Sequence, residues 1–351
     1  MDSNHVSPMR VAAVVAFYMG AALVMVFVNK TVLNSTPDTP LLFLFLQLTI
    51  AVILLHATAL FSSRIEIPHW DLHTAKKLLP VVTINIVGLV FNTLCLREVE
   101  ASFFQIARGL VLPLTIAVTS VTTHSHPAAR VIIAAGIVTV GFFIGVAPAG
   151  NLPVTSIPSP ISLFYGVFSS LAIAIHTVLI KSSLPYCNNS TIQLAYWTNA
   201  GSAILVAPFV LLLGEPARIL ELSASPEWNM KVFVWGSLVT GFFGFLLCVA
   251  GLLSIKVTSP VTHMFSSAAR SVIQTLLGVW LFQDVLTVNR VTSLMTILSG
   301  TMYYTWIKAT NQAQAPPPAR PVDLEALNRS RDDKDESNDV QVQEKKATGS
   351  D

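Results

Sequence analysis

Charged residues are scarce in this sequence. They make up 11% of the 351 residues, whereas hydrophobic residues make up 53%, and soluble domains carry roughly 25% charged residues. So low a charge content excludes an ordinary soluble domain and predicts a protein that crosses a lipid bilayer several times. We expect the bilayer, and no nucleic acid, among its partners.

Cysteine and clusters of catalytic residues are also scarce. The three cysteines, Cys95, Cys187 and Cys248, form no C-x-x-C pair, so the sequence indicates neither a disulfide framework nor a zinc site. The long apolar runs contain no nucleophile beside a base and no cluster of metal ligands. We therefore predict that the protein is not an enzyme, has no catalytic residue, and binds no metal or cofactor.

Acidic residues are missing from the middle of the apolar runs, yet two of these runs hold an arginine well inside. The first is Arg270, in segment 256–280, KVTSPVTHMFSSAARSVIQTLLGVW. A cation inside the bilayer costs at least a few kcal/mol unless something accommodates it. At helical spacing Arg270 shares one polar stripe with His263, Ser266, Ser267 and Gln274. The stripe predicts a helix that lines a cavity; the alternative is a structural arginine satisfied by carbonyls or a carboxylate.

The second arginine is Arg108, in the segment ASFFQIARGLVLPLTIAV that begins at residue 101. Aligning Arg108 with Arg270 also aligns Phe103 with Phe265, and an apolar run follows in both copies. This match predicts a duplicated unit with one arginine at a corresponding depth in each half. Two cations that face one cavity suit a diphosphate.

Hydropathy over a window of about 20 residues predicts about ten membrane spans. The spans are 11–28, 41–61, 78–96, 101–121, 129–147, 161–180, 192–213, 232–253, 260–281 and 288–307. Short loops on the side of the termini carry more Lys and Arg, which favours cytosolic termini. Because five spans per half force the second half to enter the membrane upside down, we predict an all-α membrane protein of two inverted five-helix repeats.

The predicted organisation has five parts. Residues 1–10 form a cytosolic N-terminal segment, 11–147 the first repeat, 148–160 a linker rich in proline and serine, 161–308 the second repeat, and 309–351 a disordered cytosolic tail. The tail combines a PPP run with mixed charges and almost no aromatic residues. Such a composition cannot bury enough apolar surface to fold.

Uncharged polar residues inside the spans are further candidates for the cavity. Asn85 and Asn92, seven residues apart in the third span, share a helix face; the alternative is that they bridge packed helices. In the seventh span Tyr196 and Asn199 share a face, where they can contact a nucleobase or belong to an interfacial aromatic belt. Lys30 closes the first span, where a lysine ordinarily snorkels to the headgroups.

Four pieces of the sequence together resemble a known family. They are FNTLCLREVEASFFQIARG, LAYWTNAGSAILVAPFVLLLGE, IKVTSPVTHMFSSAARSVIQTLLGV and GTMYYTWIK. They resemble the nucleotide-sugar transporters of the drug/metabolite transporter superfamily, most of all the GDP-fucose branch, from the first span to about residue 308. The resemblance implies ten spans with cytosolic termini and exchange of a cytosolic nucleotide sugar for a lumenal nucleoside monophosphate, across a Golgi or endoplasmic reticulum membrane.

The motifs of that family fall on definite positions here. Its guanine-reading FYNN motif falls on residues 196–199, where only Asn199 is retained. Its motif ending in a phosphate-binding lysine falls on residues 266–270, and the lysine is replaced by Arg270. Arginine keeps the charge but offers a planar fork in place of a point charge. The family's GRS of the fourth span appears as Ala107, Arg108 and Gly109.

The leading hypothesis is an antiporter for a GDP-sugar, GDP-fucose or GDP-mannose, with GMP as counter-substrate. The predicted substrate-binding residues are Arg108 and Arg270 for the diphosphate, Asn199 and Tyr196 for the base, Asn92 for the ribose or sugar, and Ser266. One alternative is a sugar-phosphate or phosphate translocator of the same fold. Another, of a different class, is a membrane scaffold that transports nothing. A homodimer is a further expectation.

Overall fold

The computed structural model describes residues 8–61, 66–147, 158–225, 228–257 and 260–314, and these ranges are helical with no β-strand. The helices are α1 Pro8–Ser35, α2 Pro40–Phe61, α3 Leu72–Glu98, α4 Ala101–Gly109, α5 Val111–Thr123, α6 Ala129–Val146, α7 Pro160–Ser183, α8 Thr191–Leu212, α9 Glu215–Ser223, α10 Met230–Val257, α11 Pro260–Phe282 and α12 Val288–Gln314, with a 3-10 turn at Leu184–Cys187. The all-α prediction is confirmed.

Eight segments within the described ranges are long and apolar enough to cross a membrane. They are Val15–Ser35, Pro40–Phe61, Leu72–Glu98, Ala101–Thr123, Ala129–Val146, Pro160–Cys187, Thr191–Leu212 and Met230–Leu247. Helices α11 and α12, with 23 and 27 residues, also reach the length of about 20 residues that a bilayer requires. The protein is therefore a multi-pass membrane protein, and ten spans in two inverted repeats stay a prediction.

The predicted boundaries of α3 and α12 differ from the observed ones. Helix α3 begins at Leu72, before the predicted 78, because the Asp71 carboxylate accepts hydrogen bonds from the backbone N–H groups of His73 and Thr74 at 3.2 and 3.1 Å. These hydrogen bonds lower the pKa of Asp71. Helix α12 continues beyond the predicted 307 to Gln314.

A buried carboxylate far away in sequence caps the start of α2. The carboxylate of Glu215, the first residue of α9, accepts hydrogen bonds from the backbone N–H groups of Leu41 at 3.2 Å and Leu42 at 2.5 Å. Glu215 is only 3% exposed. Burial raises the pKa of Glu215, and the two backbone donors act in the opposite direction. The negative charge lies at the positive end of the α2 dipole and fixes the α8–α9 corner against α2.

Helices of the first half of the chain pack against helices of the second half. The most extensive pairing joins α3 to α7, followed by α1 with α10, and α2 also packs on α8 and α4 on α11. A Cβ added to Gly88 of α3 would lie 3.3 Å from the Cβ of Ala172 in α7. One added to Gly166 would lie 2.9 Å from the Cβ of Ala107. Such small residues let backbones approach closely.

The described residues up to Ala309 form one compact unit. Most of the predicted linker at 148–160, the predicted tail from 315 onward, and the side chains of Cys248, His263, Ser266 and Ser267 lie outside the described residues. The predicted domain boundaries therefore stay predictions.

Candidate functional site

A central cavity of about 380 Å³ lies among helices α1, α3, α4, α7, α10 and α11. This volume is within the range of roughly 300–1,000 Å³ that is usual for small-molecule sites. Its polar lining residues are Tyr18, Asn29, Asn85, Asn92, Arg108, His176 and Arg270, and the remaining walls are apolar. The structure thus brings together three of the predicted site residues: Arg108, Arg270 and Asn92.

Arg108 lies in the last turn of the short helix α4. The helix ends there because Pro113, at the start of α5, has no N–H to donate to the carbonyl four residues earlier. The hydroxyl of Ser170 donates to the Ala107 carbonyl at 2.9 Å and fixes this turn against α7. The guanidinium carbon of Arg108 lies 5.7 Å from the ring centroid of Phe104, a distance at which the ring attracts the cation.

Arg270 lies on α11, which is held directly against α4. Gln105 of α4 donates to the hydroxyl of Ser271 at 2.5 Å, and Gln274 of α11 donates to the Ala101 carbonyl at 3.4 Å. Gln105 lies close to Arg108 in sequence, and Ser271 and Gln274 lie close to Arg270, so the two hydrogen bonds join the helices near both arginines. The Nε atom of Arg270 is buried and has no hydrogen-bond partner among the described residues. The two arginines therefore reach one cavity from a pair of packed helices.

Neither cavity arginine is paired with a carboxylate of the described residues. The ion pairs among the described residues are Arg97–Glu98, Arg218–Asp38 and Arg290–Glu100. Two uncompensated cations beside one cavity are costly in a low-dielectric environment, and an anion in the cavity offsets that cost. Within the described part of the chain, the alternative of a structural arginine neutralised by a carboxylate therefore finds no support.

Asn85, Asn92 and His176 are three further polar side chains in the cavity wall. Asn85 donates to the hydroxyl of Ser202 in α8 at 3.0 Å. Oδ1 of Asn92 and Nε2 of His176 are buried without a hydrogen-bond partner among the described residues. His176 was not among the residues predicted from the sequence, although a histidine inside the apolar run 161–180 is a usable signal.

The two residues predicted to bind the base do not line the central cavity. Tyr196 is not among the residues that line the central cavity; its hydroxyl accepts a hydrogen bond from Trp70 Nε1 at 3.0 Å, and its ring lies 5.3 Å from that of His56. Asn199 also does not line it, and donates to the Ala195 carbonyl of its own helix at 2.8 Å. The base-binding role of both residues stays a prediction.

Lys30 does not snorkel, and that interpretation of the sequence is wrong. The residue is 7% exposed, and its Nζ donates to the carbonyls of Leu96, Arg97 and Val99 at 2.8, 3.1 and 2.8 Å. These carbonyls lie at the C-terminal end of α3, where helical carbonyls have no intrahelical donor and the helix dipole favours a cation. Lys30 therefore ties α1 to α3.

Beside Lys30, three more charged residues join the start of α4 to the connection between α11 and α12. Arg290, which is 2% exposed, pairs with Glu100 and donates to the Val285 carbonyl at 2.6 Å. Asp284 accepts the N–H of Ser102 at 2.9 Å. We call Lys30, Glu100, Asp284 and Arg290 the ionic cluster; they line a separate polar cavity of about 220 Å³. The central cavity adjoins it, since Leu96 lines that cavity and accepts from Lys30.

Comparison with known proteins places the chain in a family. The model of the Triose-phosphate Transporter family matches residues 9–305. The chain belongs to this family. The resemblance to nucleotide-sugar transporters of the drug/metabolite transporter superfamily is thereby confirmed. Members of the Triose-phosphate Transporter family carry solutes across membranes and are not enzymes, so the protein is a multi-pass membrane transporter.

Several relatives match along most of their length. GDP-fucose transporter 1 of Nematostella vectensis is 29% identical over 315 residues, which cover 87% of this chain and 91% of that protein. GDP-fucose transporter 1 of Mus musculus is 27% identical over 312 residues, covering 86% and 84%. An uncharacterized transporter of Schizosaccharomyces pombe is 32% identical over 309 residues, covering 88% and 77%.

Proposed function

We propose that the protein is an antiporter that moves a GDP-sugar, GDP-fucose or GDP-mannose, from the cytosol into the Golgi or endoplasmic reticulum lumen in exchange for GMP. The observation that carries the proposal is the pair Arg108 and Arg270, which line one cavity without a carboxylate partner among the described residues. The relatives named GDP-fucose transporter support the choice of cargo.

The charge of the site supports an exchange mechanism. A diphosphate carries two negative charges, and each guanidinium offers parallel N–H donors that match phosphate oxygens. A nucleoside monophosphate brings a similar charge on the return journey. The empty carrier would have to reorient with Arg108 and Arg270 uncompensated in the bilayer, which is unfavourable. Obligate exchange follows, because only the loaded carrier reorients with the charges of both arginines compensated.

The pairing of helices supports two inverted repeats. If α1 corresponds to α7, α2 to α8, α3 to α10 and α4 to α11, the contact of α1 with α10 corresponds to that of α7 with α3. These are the two most extensive pairings in the molecule. The contacts of α2 with α8 and of α4 with α11 then correspond to themselves. A two-fold axis in the membrane plane produces this pattern, as in other carriers that place their solute between inverted halves.

The ionic cluster supports alternating access. It joins α1, α4 and the α11–α12 connection next to Leu96, a residue of the central cavity wall. Opening the cavity toward this end requires Arg290 to leave Glu100 and Lys30 to leave the α3 carbonyls. We assign the described structure to a state that is closed at the ionic cluster. The expected homodimer stays a prediction.

Exchange in proteoliposomes tests the proposal. Vesicles loaded with GMP should take up labelled GDP-fucose, and Arg108→Gln or Arg270→Gln should each reduce the rate by about 30-fold or more, since loss of one partner of a desolvated charge pair costs roughly 2–5 kcal/mol. Arg218→Gln is the control, because Arg218 is exposed and lies 3.6 Å from Asp38. Wild-type rates in both cavity variants would refute the arginine site.

A sugar-phosphate translocator is the second candidate. It is favoured by the positions of Tyr196 and Asn199, which do not line the described central cavity and so supply no base site there. Thermal stabilisation separates the two, since a ligand that binds the folded state raises its apparent stability. Guanine nucleotides should stabilise the purified protein under the first proposal, whereas stabilisation by triose phosphate alone would establish the second.

A further inference from the structure

We propose that His176 determines specificity by hydrogen-bonding the nucleoside end of the substrate, the end remote from the phosphates. This inference rests on the proposed transport of a nucleotide sugar. Buried polar groups in proteins are almost always hydrogen-bonded. Nε of Arg270, Oδ1 of Asn92 and Nε2 of His176 are exceptions among the described residues, and all three side chains line this cavity.

The register of α7 places His176 away from the arginines. Ser170 of α7 donates to the carbonyl of Ala107, the residue before Arg108. His176 follows Ser170 by six residues, which is about 9 Å along the helix axis at 1.5 Å per residue. A substrate with its phosphates at Arg108 and Arg270 must therefore extend along α7 before it reaches His176.

The direction of that extension follows from the packing of α3 on α7. Gly88 of α3 lies against Ala172, and Gly166 lies near Cys95, so the residue number falls along α7 as it rises along α3. The two helices are antiparallel. His176 therefore lies beyond Ala172 toward the Asn85 end of the cavity, away from Leu96 and the ionic cluster.

The nucleoside is the part of the substrate that fits this distance. A hexose is attached directly to the outer phosphate, whereas a nucleobase is attached through a ribose and reaches farther. Both the nucleotide sugar and the nucleoside monophosphate contain the nucleoside, so one residue at this position serves both directions of exchange. The neighbouring wall is formed by the apolar side chains of Ile84, Ile173 and Leu247, against which a flat ring can pack.

The chemistry of histidine suits a discriminating contact. A neutral imidazole has one N–H donor and one acceptor nitrogen, so His176 can pair with an N–H or a carbonyl of a base, or with a ribose hydroxyl. A site with a buried polar group rejects ligands that leave the group unpaired. His176 thus favours ligands that present a polar nucleoside edge over sugar phosphates of equal charge.

Competition binding with purified protein tests the inference. His176→Ala should weaken GMP by about tenfold, the value of one net hydrogen bond, and leave pyrophosphate affinity unchanged. His176→Gln, which retains a donor and an acceptor, should recover most of the GMP affinity. Thr177→Ala is the matched control, because Thr177 is exposed on the same helix and donates only to Ile173 of its own turn.

Each other result has a defined meaning. Equal losses for GMP and pyrophosphate would make His176 structural and overturn the inference, as would a loss confined to fucose 1-phosphate or no loss at all. If His176→Ala does not fold, two other variants test the inference. Unimpaired GMP binding by His176→Leu would overturn it. A His176→Gln variant that binds GMP no more tightly than pyrophosphate would also overturn it. Absence of GMP binding to the wild type would instead refute the proposed function itself.

Discussion

Two sets of cations occupy neighbouring parts of this transporter and differ in their partners. In the ionic cluster, Lys30 caps three carbonyls of α3 and Arg290 pairs with Glu100. In the central cavity, Arg108 and Arg270 have no hydrogen bond or ion pair to another described residue, apart from the contact of Arg108 with the Phe104 ring. Arginine thus occurs with a carboxylate partner in the ionic cluster and, among the described residues, without one in the central cavity.

Under the proposed function, this difference separates cations that stabilise the fold from cations that bind the ligand. A buried cation is tolerated when its partner is present, and removing that partner is strongly destabilising. Where the protein supplies the partner, as for Arg290, the cation contributes to the fold. Where no described residue supplies a carboxylate, as for Arg108 and Arg270, we propose that the ligand brings the negative charge. Substitution of these two arginines should then affect ligand binding and not folding.

Breaking the Arg290 pair should have the largest effect on stability. Glu100→Gln leaves the buried guanidinium of Arg290 without its carboxylate and should cost about 3 kcal/mol. The melting temperature of the protein in detergent should fall by several degrees. Glu98→Gln is the matched control, since the Arg97–Glu98 pair is more exposed and such pairs contribute less than about 1 kcal/mol. Equal melting temperatures for the two variants would contradict the structural role of Glu100.

Removing the Lys30 cap should have an intermediate effect. Lys30→Met leaves the last carbonyls of α3 without a donor, and a buried unsatisfied group costs about 1–3 kcal/mol. The variant should melt below the wild type, whereas Lys181→Met should change stability by no more than about 0.5 kcal/mol because Lys181 is exposed at the end of α7. If Lys30→Met melts like Lys181→Met, Lys30 belongs with the snorkelling lysines after all.

Glu215 extends the comparison to a buried carboxyl group, and its ionisation should have the smallest effect on the stability of the protein. Its burial raises the pKa above the ordinary value of 4.5, so the folded state binds the proton more tightly than the unfolded state. This contribution to stability is present below pH 4.5 and is lost as the pH rises through the folded-state pKa. Melting temperatures measured from pH 4 to 7 should therefore fall with pH more in the wild type than in Glu215→Gln. Parallel curves would exclude the raised pKa.

The sequence predicted the features that depend on period and composition. Apolar runs located the helices, and the correspondence of Arg108 with Arg270 anticipated that both line one cavity. Asn92 lines it as well, because a seven-residue spacing sets a helix face. These predictions need only the geometry of a single helix.

Features that depend on which helix lies next to which could not be predicted. Tyr196 and Asn199 occupy positions on which the family's base-reading motif falls, but the structure pairs Tyr196 with Trp70. The cap that Glu215 provides for α2 spans more than a hundred residues of sequence. Lys30 looked like an interfacial lysine because no local pattern reveals the carbonyls of α3 that receive it. Helix periodicity gives a face but not its neighbour.

Ligand-induced stabilisation of the arginine variants tests the central claim most directly. Purified wild type, Arg108→Gln and Arg270→Gln would be melted with and without GMP. We predict that the ligand-free variants melt at or above the wild-type temperature, because an uncompensated cation has been removed from the cavity, and that GMP no longer stabilises them. Ligand-free variants that melt well below the wild type, or variants that GMP still stabilises fully, would show that these arginines are structural.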